Sequence, residues 1–120
     1  MIEKWTGYVP SATYRQIMDE SIQHAIAHDA RRWFNDLREM AAILQPDELW
    51  TMEDWFPRLA RTQVGRMAFL MSKDYFNQMS VDRIMNVGTV VMPLEVGYFA
   101  DLDEARTWLL SSRPAMVLAK

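Results

Sequence analysis

Two histidines four residues apart, His24 and His28, form the first pair in this sequence whose spacing can do chemistry. On a helix that separation puts both imidazoles on one face, where they can share a metal ion with Glu20, one turn earlier, as a third ligand. A zinc centre also needs a further ligand or supporting hydrogen bonds. Two polar residues on the solvated side of a helix account for the same pair, so no metal and no cofactor is assigned.

The second polar group is Asn35, Asp36, Arg38 and Glu39, which the pattern places at the carboxyl end of a strand, where ligands of open α/β sheets bind. Asp36 and Glu39 can serve as an acid and base pair only if their surroundings separate their pKa values. A loop that caps the next helix and pairs Arg38 with an acid explains the same residues more simply. There is no Gly-x-Ser-x-Gly elbow, and neither histidine has an evident serine partner. Four glycines supply no Walker loop and no dinucleotide fingerprint. Cysteine is absent, which removes disulfides, thiolate nucleophiles and Cys-based metal sites. No catalytic residue is assigned, and the expectation is a protein that is not an enzyme.

Apolar chemistry is better represented. Ten methionines and five tryptophans in 120 residues are unusual, and both types occur on adaptable binding surfaces. Trp50, Met52, Trp55, Phe56, Tyr75, Phe76 and Met79 come from two middle helical segments and can line an apolar groove for a lipid-like ligand or a partner helix. Ordinary core packing against a sheet is the competing reading.

The elements that must position these groups follow from periodicity. A β-prone run over Trp5 to Val9 stops at Pro10, with Ser11 placed to cap a helix. Tyr14, Ile17, Met18, Ile22, Ala25 and Ile26 then recur at helical spacing, and the helix is expected to end near Asp29. Arg32 to Leu37 reads as a short buried strand. Pro46, followed by Asp47 and Glu48, suits the first turn of a second helix with a broad apolar face, which Pro57 should kink or restart. Met67 to Met71 is a continuous apolar run of central-strand type. Ser72 to Gly88 suggests one or two helical pieces with Ser80 as an internal cap. Leu94, Val96 and Tyr98 alternate as a fourth strand, and Asp101 with Glu104 has capping-box spacing before a last helix. The tail beyond Ser112, broken by Pro114, carries Met116, Val117 and Leu118.

Strands alternating with helices imply an α/β fold, a single sheet of about four strands with helical crossovers, in one domain over residues 1 to 120 with a tail over 113 to 120. The net charge of -3 and the scattered basic residues argue against nucleic acid. No apolar run approaches the ~20 residues of a membrane span, and no signal peptide is evident, so a cytoplasmic location is expected.

Five segments carry a family resemblance: Trp5-Thr6-Gly7-Tyr8-Val9, Trp33-Phe34-Asn35-Asp36, Trp55-Phe56-Pro57-Arg58, Arg66-Met67-Ala68-Phe69, and the stretch from Tyr98 through Asp101 and Glu104 to Trp108. Together they resemble a bacterial family of small STAS-like domains, similar in fold to anti-sigma-factor antagonists of the SpoIIAA type. The resemblance spans roughly residues 5 to 110 and rests on packing motifs, so it implies fold more than function. Such domains usually carry one or two strands ahead of the Trp-Gly-Tyr strand. Here that strand comes almost first, which implies a free sheet edge and a homodimer. The antagonists' phosphorylatable serine has no counterpart, because the stretch from Ala41 to Asp47 contains no Ser or Thr. The expected function is therefore a non-enzymatic interaction or regulatory module with a protein partner. The alternative is binding or sensing of a small apolar ligand between the helices.

Overall fold

The computed structural model describes residues 1–111. Four strands, β1 (Ile2–Gly7), β2 (Arg32–Met40), β3 (Arg66–Leu70) and β4 (Glu95–Phe99), lie in the order β1-β2-β3-β4, all parallel. Parallel neighbours need crossovers, which are supplied in turn by α1 (Ser11–Ala27), by α2 (Gln45–Trp50) running on into α3 (Phe56–Leu59), and by α4 (Tyr75–Val91). Crossovers of one hand between strands added in sequence order all fall on one face of the sheet. The last helix, α5 (Leu102–Leu110), follows the final strand and covers the opposite face.

Two cores result. Side chains alternate along each strand, so Trp33 and Leu37 of β2 and Met67 and Phe69 of β3 face the crossover helices. Phe34, Ala68 and Leu70 face α5, where they meet Ala105 and Leu109. On the α5 side small residues allow close approach: a Cβ on Gly97 would come within 2.7 Å of the Phe99 ring and 3.2 Å of Trp108. Arg66 fastens the end of α5, its guanidinium donating to the carbonyls of Trp108, Leu109 and Ser111 and to the Glu95 carboxylate.

Several boundaries differ from the sequence expectation. β1 runs over Ile2–Gly7, ending before Tyr8 and Val9, because pairing with β2 begins at Ile2 opposite Phe34. Pro10 occupies the cap position of α1, and the Ser11 hydroxyl donates instead to Asp47, 2.8 Å away. β2 extends to Met40 and so absorbs Arg38 and Glu39 into the strand. Ser72 to Gly88 does not break at Ser80. α4 is one helix capped by Asp74, whose carboxylate accepts from the Phe76 and Asn77 amides. Asp101 caps α5 as its spacing suggested, accepting from the Glu104 amide at 3.0 Å. Pro57 lies in the first turn of α3, which restarts the helix after one turn of π-helix over Thr51–Trp55, as expected of a proline there. The tail residues Pro114, Met116, Val117 and Leu118 lie outside the described residues.

α1 stops because Asp29 turns left-handed, at φ 48°, letting the Ala30 amide reach back to the Ala25 carbonyl. A side chain is strained in that conformation and glycine is not. Asp29→Gly should therefore raise unfolding stability by about 1 kcal/mol, read as a higher midpoint in urea at unchanged slope; an unchanged or lower midpoint would contradict the assignment.

Candidate functional site

The helical layer is held by two adjacent acids at the start of α2. Asp47 accepts from Ser11 Oγ at 2.8 Å and Arg15 Nε at 3.1 Å, both on α1. Glu48 accepts from Ser80 Oγ at 2.9 Å and from both arms of Arg83, at 2.9 and 2.8 Å, on α4. Burial pushes the Glu48 carboxyl up, but the hydrogen bonds from Arg83 and Ser80 outweigh it and hold the group below its usual range. Both carboxylates are buried while their arginines reach towards solvent, so each pair is screened only on its outer side.

One turn further on, Thr51 shares a 2.8 Å hydrogen bond with the Tyr14 phenol, which burial pushes above its ordinary range. The Trp55 indole donates to the Met18 carbonyl at 2.8 Å. Thr51 and Trp55 begin and end the π-helical turn, a geometry that widens the backbone and is frequent at functional sites. Phe56 then meets α4 where it has no side chain, since a Cβ on Gly88 would lie 2.8 Å from the Phe56 ring.

Beneath this layer, against the sheet, lies a cavity of about 60 Å³. Its walls are mostly rings and thioethers: Trp5, Trp33, Trp55 and Phe56, with Met18, Met67 and Met85 among the flexible members. Only Glu3 and Ile43 of the lining residues are partly exposed. Three polar groups other than the Tyr14–Thr51 pair reach the lining. The Asn35 amide makes only a long 3.5 Å contact to the Ala68 carbonyl. Trp33 Nε1 is buried with no hydrogen-bond partner among the described residues. Glu3 accepts from Trp5 Nε1 at 3.2 Å and from Ser21 Oγ. Burial pushes the Glu3 carboxyl up, and those two hydrogen bonds only partly offset it.

The polar residues singled out in the sequence do not form one cluster. Asn35 lines the cavity, whereas Asp36 lies on the α5 side of the sheet beside Lys4 of β1. Asp36 is held bidentately by Arg38 at 3.1 and 2.9 Å, which lowers its pKa, and Glu39 is exposed near the end of β2 opposite Thr6. Asn35 and Asp36 separate because alternation along a strand sends neighbours to opposite faces, while the extension of β2 through Met40 carries Arg38 and Glu39 into the strand.

The aromatic set also divides. Trp55 and Phe56 are core, Trp50 packs edge-on to Tyr14 beneath the guanidiniums of Arg15 and Arg58, and Tyr75, Phe76 and Met79 are exposed. Phe76 and Met79 border a shallow surface depression beside Glu48 and Arg83 that Trp50, Trp55 and Phe56 do not reach. His24 and His28 lie on the exposed face of α1 with rings 4.2 Å apart, and Glu20 accepts from Gln16. Among the described residues no group of three His, Cys, Asp or Glu side chains converges on a metal position.

Glu3, Tyr14, Trp33 and Thr51 escaped notice as site residues. The available signal was a carboxylate two residues before a tryptophan in a β-prone run, and on a half-buried strand that spacing puts both on the same face.

Because the native state binds the Glu3 proton more tightly than the unfolded chain, stability falls as pH rises from its ordinary value of 4.5 and levels off above the raised native value. The stability difference between Glu3→Gln and the wild type should therefore widen in favour of the variant across that interval and then stay constant, as read by denaturation at a series of pH values. A gap independent of pH would show that Glu3 is not desolvated in the native state.

Comparison with known proteins agrees with the parallel sheet and its helices. No curated protein matches the chain. A crystal structure of an uncharacterised protein of the DUF3478 family from Shewanella loihica PV-4, with a SpoIIAA-like fold, is similar to it. The TM-score is 0.62 at 20% identity, over 90% of this chain and 82% of that one. That likeness concerns the fold. The SpoIIAA-like family model matches residues 2–110, and with nearly the whole chain covered, this protein belongs to the SpoIIAA-like family.

Proposed function

We propose that the chain acts by binding, taking a small and mainly apolar molecule into the cavity between its sheet and its crossover helices. The observation that carries this reading is an apolar cavity of about 60 Å³ at a place where interiors ordinarily close to crystal-like density. Its size suits a molecule of a few heavy atoms, since a cavity of about 150 Å³ accepts benzene. Methionines in the wall can shift to admit more. The ligand position differs from a groove between the Trp50 to Phe56 and Tyr75 to Met79 segments, and of the aromatic and methionine residues expected to line that groove only Trp55 and Phe56 reach the cavity. On this reading the chain is a carrier or sensor with no reaction of its own.

A second reading, self-association as a homodimer in a regulatory role, is favoured by the outer face of α4. Phe76, Met79, Val87 and Val90 are all exposed and follow one another at helical spacing around Arg83. Their positions are symmetric about residue 83. An antiparallel second copy related by a twofold axis there would set Phe76 against Val90 and Met79 against Val87, the self-complementary arrangement of a dimer interface. The bidentate bond to Glu48 neutralises the Arg83 charge at the axis.

Native mass spectrometry of the full chain purified from its own host should show an added small mass that mild activation retains. Val81→Ile, which puts one more methylene into the cavity wall, should abolish that mass while leaving thermal stability unchanged or raised. A bare protein, or an added mass indifferent to Val81→Ile, would end the ligand reading.

Val90 is 82% exposed, so Val90→Glu does not disturb the fold. It should convert a dimer in light scattering to a monomer with unchanged melting temperature. A wild type that is monomeric at tens of micromolar, or a dimer that survives Val90→Glu, would exclude the α4 interface.

A further inference from the structure

We infer that the cavity selects an uncharged molecule with one hydrogen-bond acceptor on a short apolar body, the acceptor being taken by the indole N–H of Trp33. The inference rests on the ligand-binding reading above and adds the chemistry of the ligand's polar end.

Three indoles line the cavity, and two of them are satisfied within the protein. Trp5 Nε1 donates to Glu3 at 3.2 Å and Trp55 Nε1 donates to the Met18 carbonyl at 2.8 Å. Trp33 is 1% exposed, and its Nε1 has no partner among the described residues. A buried donor with no protein acceptor is costly, and such groups are rare in native interiors. Trp33 sits on β2 in the middle of the wall, two residues from Asn35, and the strand alternation points both side chains to the same face. Asn35, buried and held only by a 3.5 Å contact, is the second adjustable polar group within that face.

The charge of the lining sets the rest of the specificity. It contains no Lys, Arg or His, and its one carboxyl group is Glu3. A carboxylate or phosphate ligand would enter a low-dielectric space with no countercharge and an acid at its edge. An ammonium would bring donors to an indole N–H that is itself a donor. The Glu3 oxygens are already engaged by Trp5 and Ser21, and its desolvation favours the neutral acid, so it offers a cation little. A ketone, ether, ester or alcohol of a few carbons satisfies Trp33 and leaves only apolar surface for the rings and thioethers.

The test uses the full chain and four probes followed by proton–nitrogen spectra: xenon under pressure, 2-butanone, butyrate and butylammonium. Xenon entry reports the cavity itself. Butanone should bind about tenfold more tightly than either ion and move the Trp33 indole resonance. Trp33→Phe should lower butanone affinity about tenfold, the worth of one hydrogen bond, while xenon entry is retained or rises because the smaller ring enlarges the cavity. If xenon enters and either ion equals butanone, or Trp33→Phe leaves butanone affinity intact, the inference falls and the cavity reading survives. If neither xenon nor butanone enters, both fall. Should Trp33→Phe fail to fold, the ranking of the three organic probes on the wild type decides alone.

Discussion

The helical layer depends on where two buried carboxylates look for partners. Asp47 and Glu48 are adjacent, so their side chains diverge around α2, and one reaches α1 while the other reaches α4. Neither acid can lose its partners without leaving a desolvated charge. The short α2 thereby acts as a keystone that fixes the distance between two seventeen-residue helices. Helices on one face of a parallel sheet would otherwise slide toward the closest ridge-and-groove packing. Here their spacing is set by polar geometry first, and apolar packing fills what that spacing allows.

That order of constraints explains the cavity. The rings under the keystone are large and rigid, and several are fixed by their polar ends: Trp55 by the Met18 carbonyl, Tyr14 by Thr51, Trp5 by Glu3. A ring tethered at its edge cannot also slide to close a gap. The π-helical turn over Thr51–Trp55 lets both of its terminal residues keep their hydrogen bonds, and Phe56 then has to pack against the bare backbone at Gly88. The methionines absorb part of the mismatch, and the remainder is left open. On the opposite face no such tether exists beyond Arg66, and Ala68, Gly97 and Ala105 let α5 settle close to the strands.

The fold was legible in the sequence for a reason that did not extend to the site. Alternation and helical spacing report which side of an element is buried, so four strands, their crossovers and the Asp101 cap could be read from local pattern. Asn35 and Asp36 were grouped because they are neighbours in sequence. Neighbours on a strand are opposed in space, and both residues lie well inside β2, where that opposition applies. Ser11 and Ser80 both looked like caps. Each instead donates across to an acid more than thirty residues away, a partnership that no local window contains. The spacings Ser11 to Arg15 and Ser80 to Arg83 were visible, but their meaning required knowing that Asp47 and Glu48 are buried between them.

The polar groups around the cavity are also arranged by function of position rather than by type. Glu3 and Trp5 lie on β1, a strand paired on one side, where an acid can keep contact with solvent while its hydrogen bonds turn inward. Trp33 lies on β2, covered on both faces, and its N–H has no acceptor among the described residues. The same indole group is therefore satisfied at the edge of the sheet and unsatisfied at its centre. A burial gradient of that kind ranks the donors by how much each would gain from an incoming acceptor, so that on the proposed ligand reading the innermost tryptophan, rather than the acid, is the group that recognition acts on.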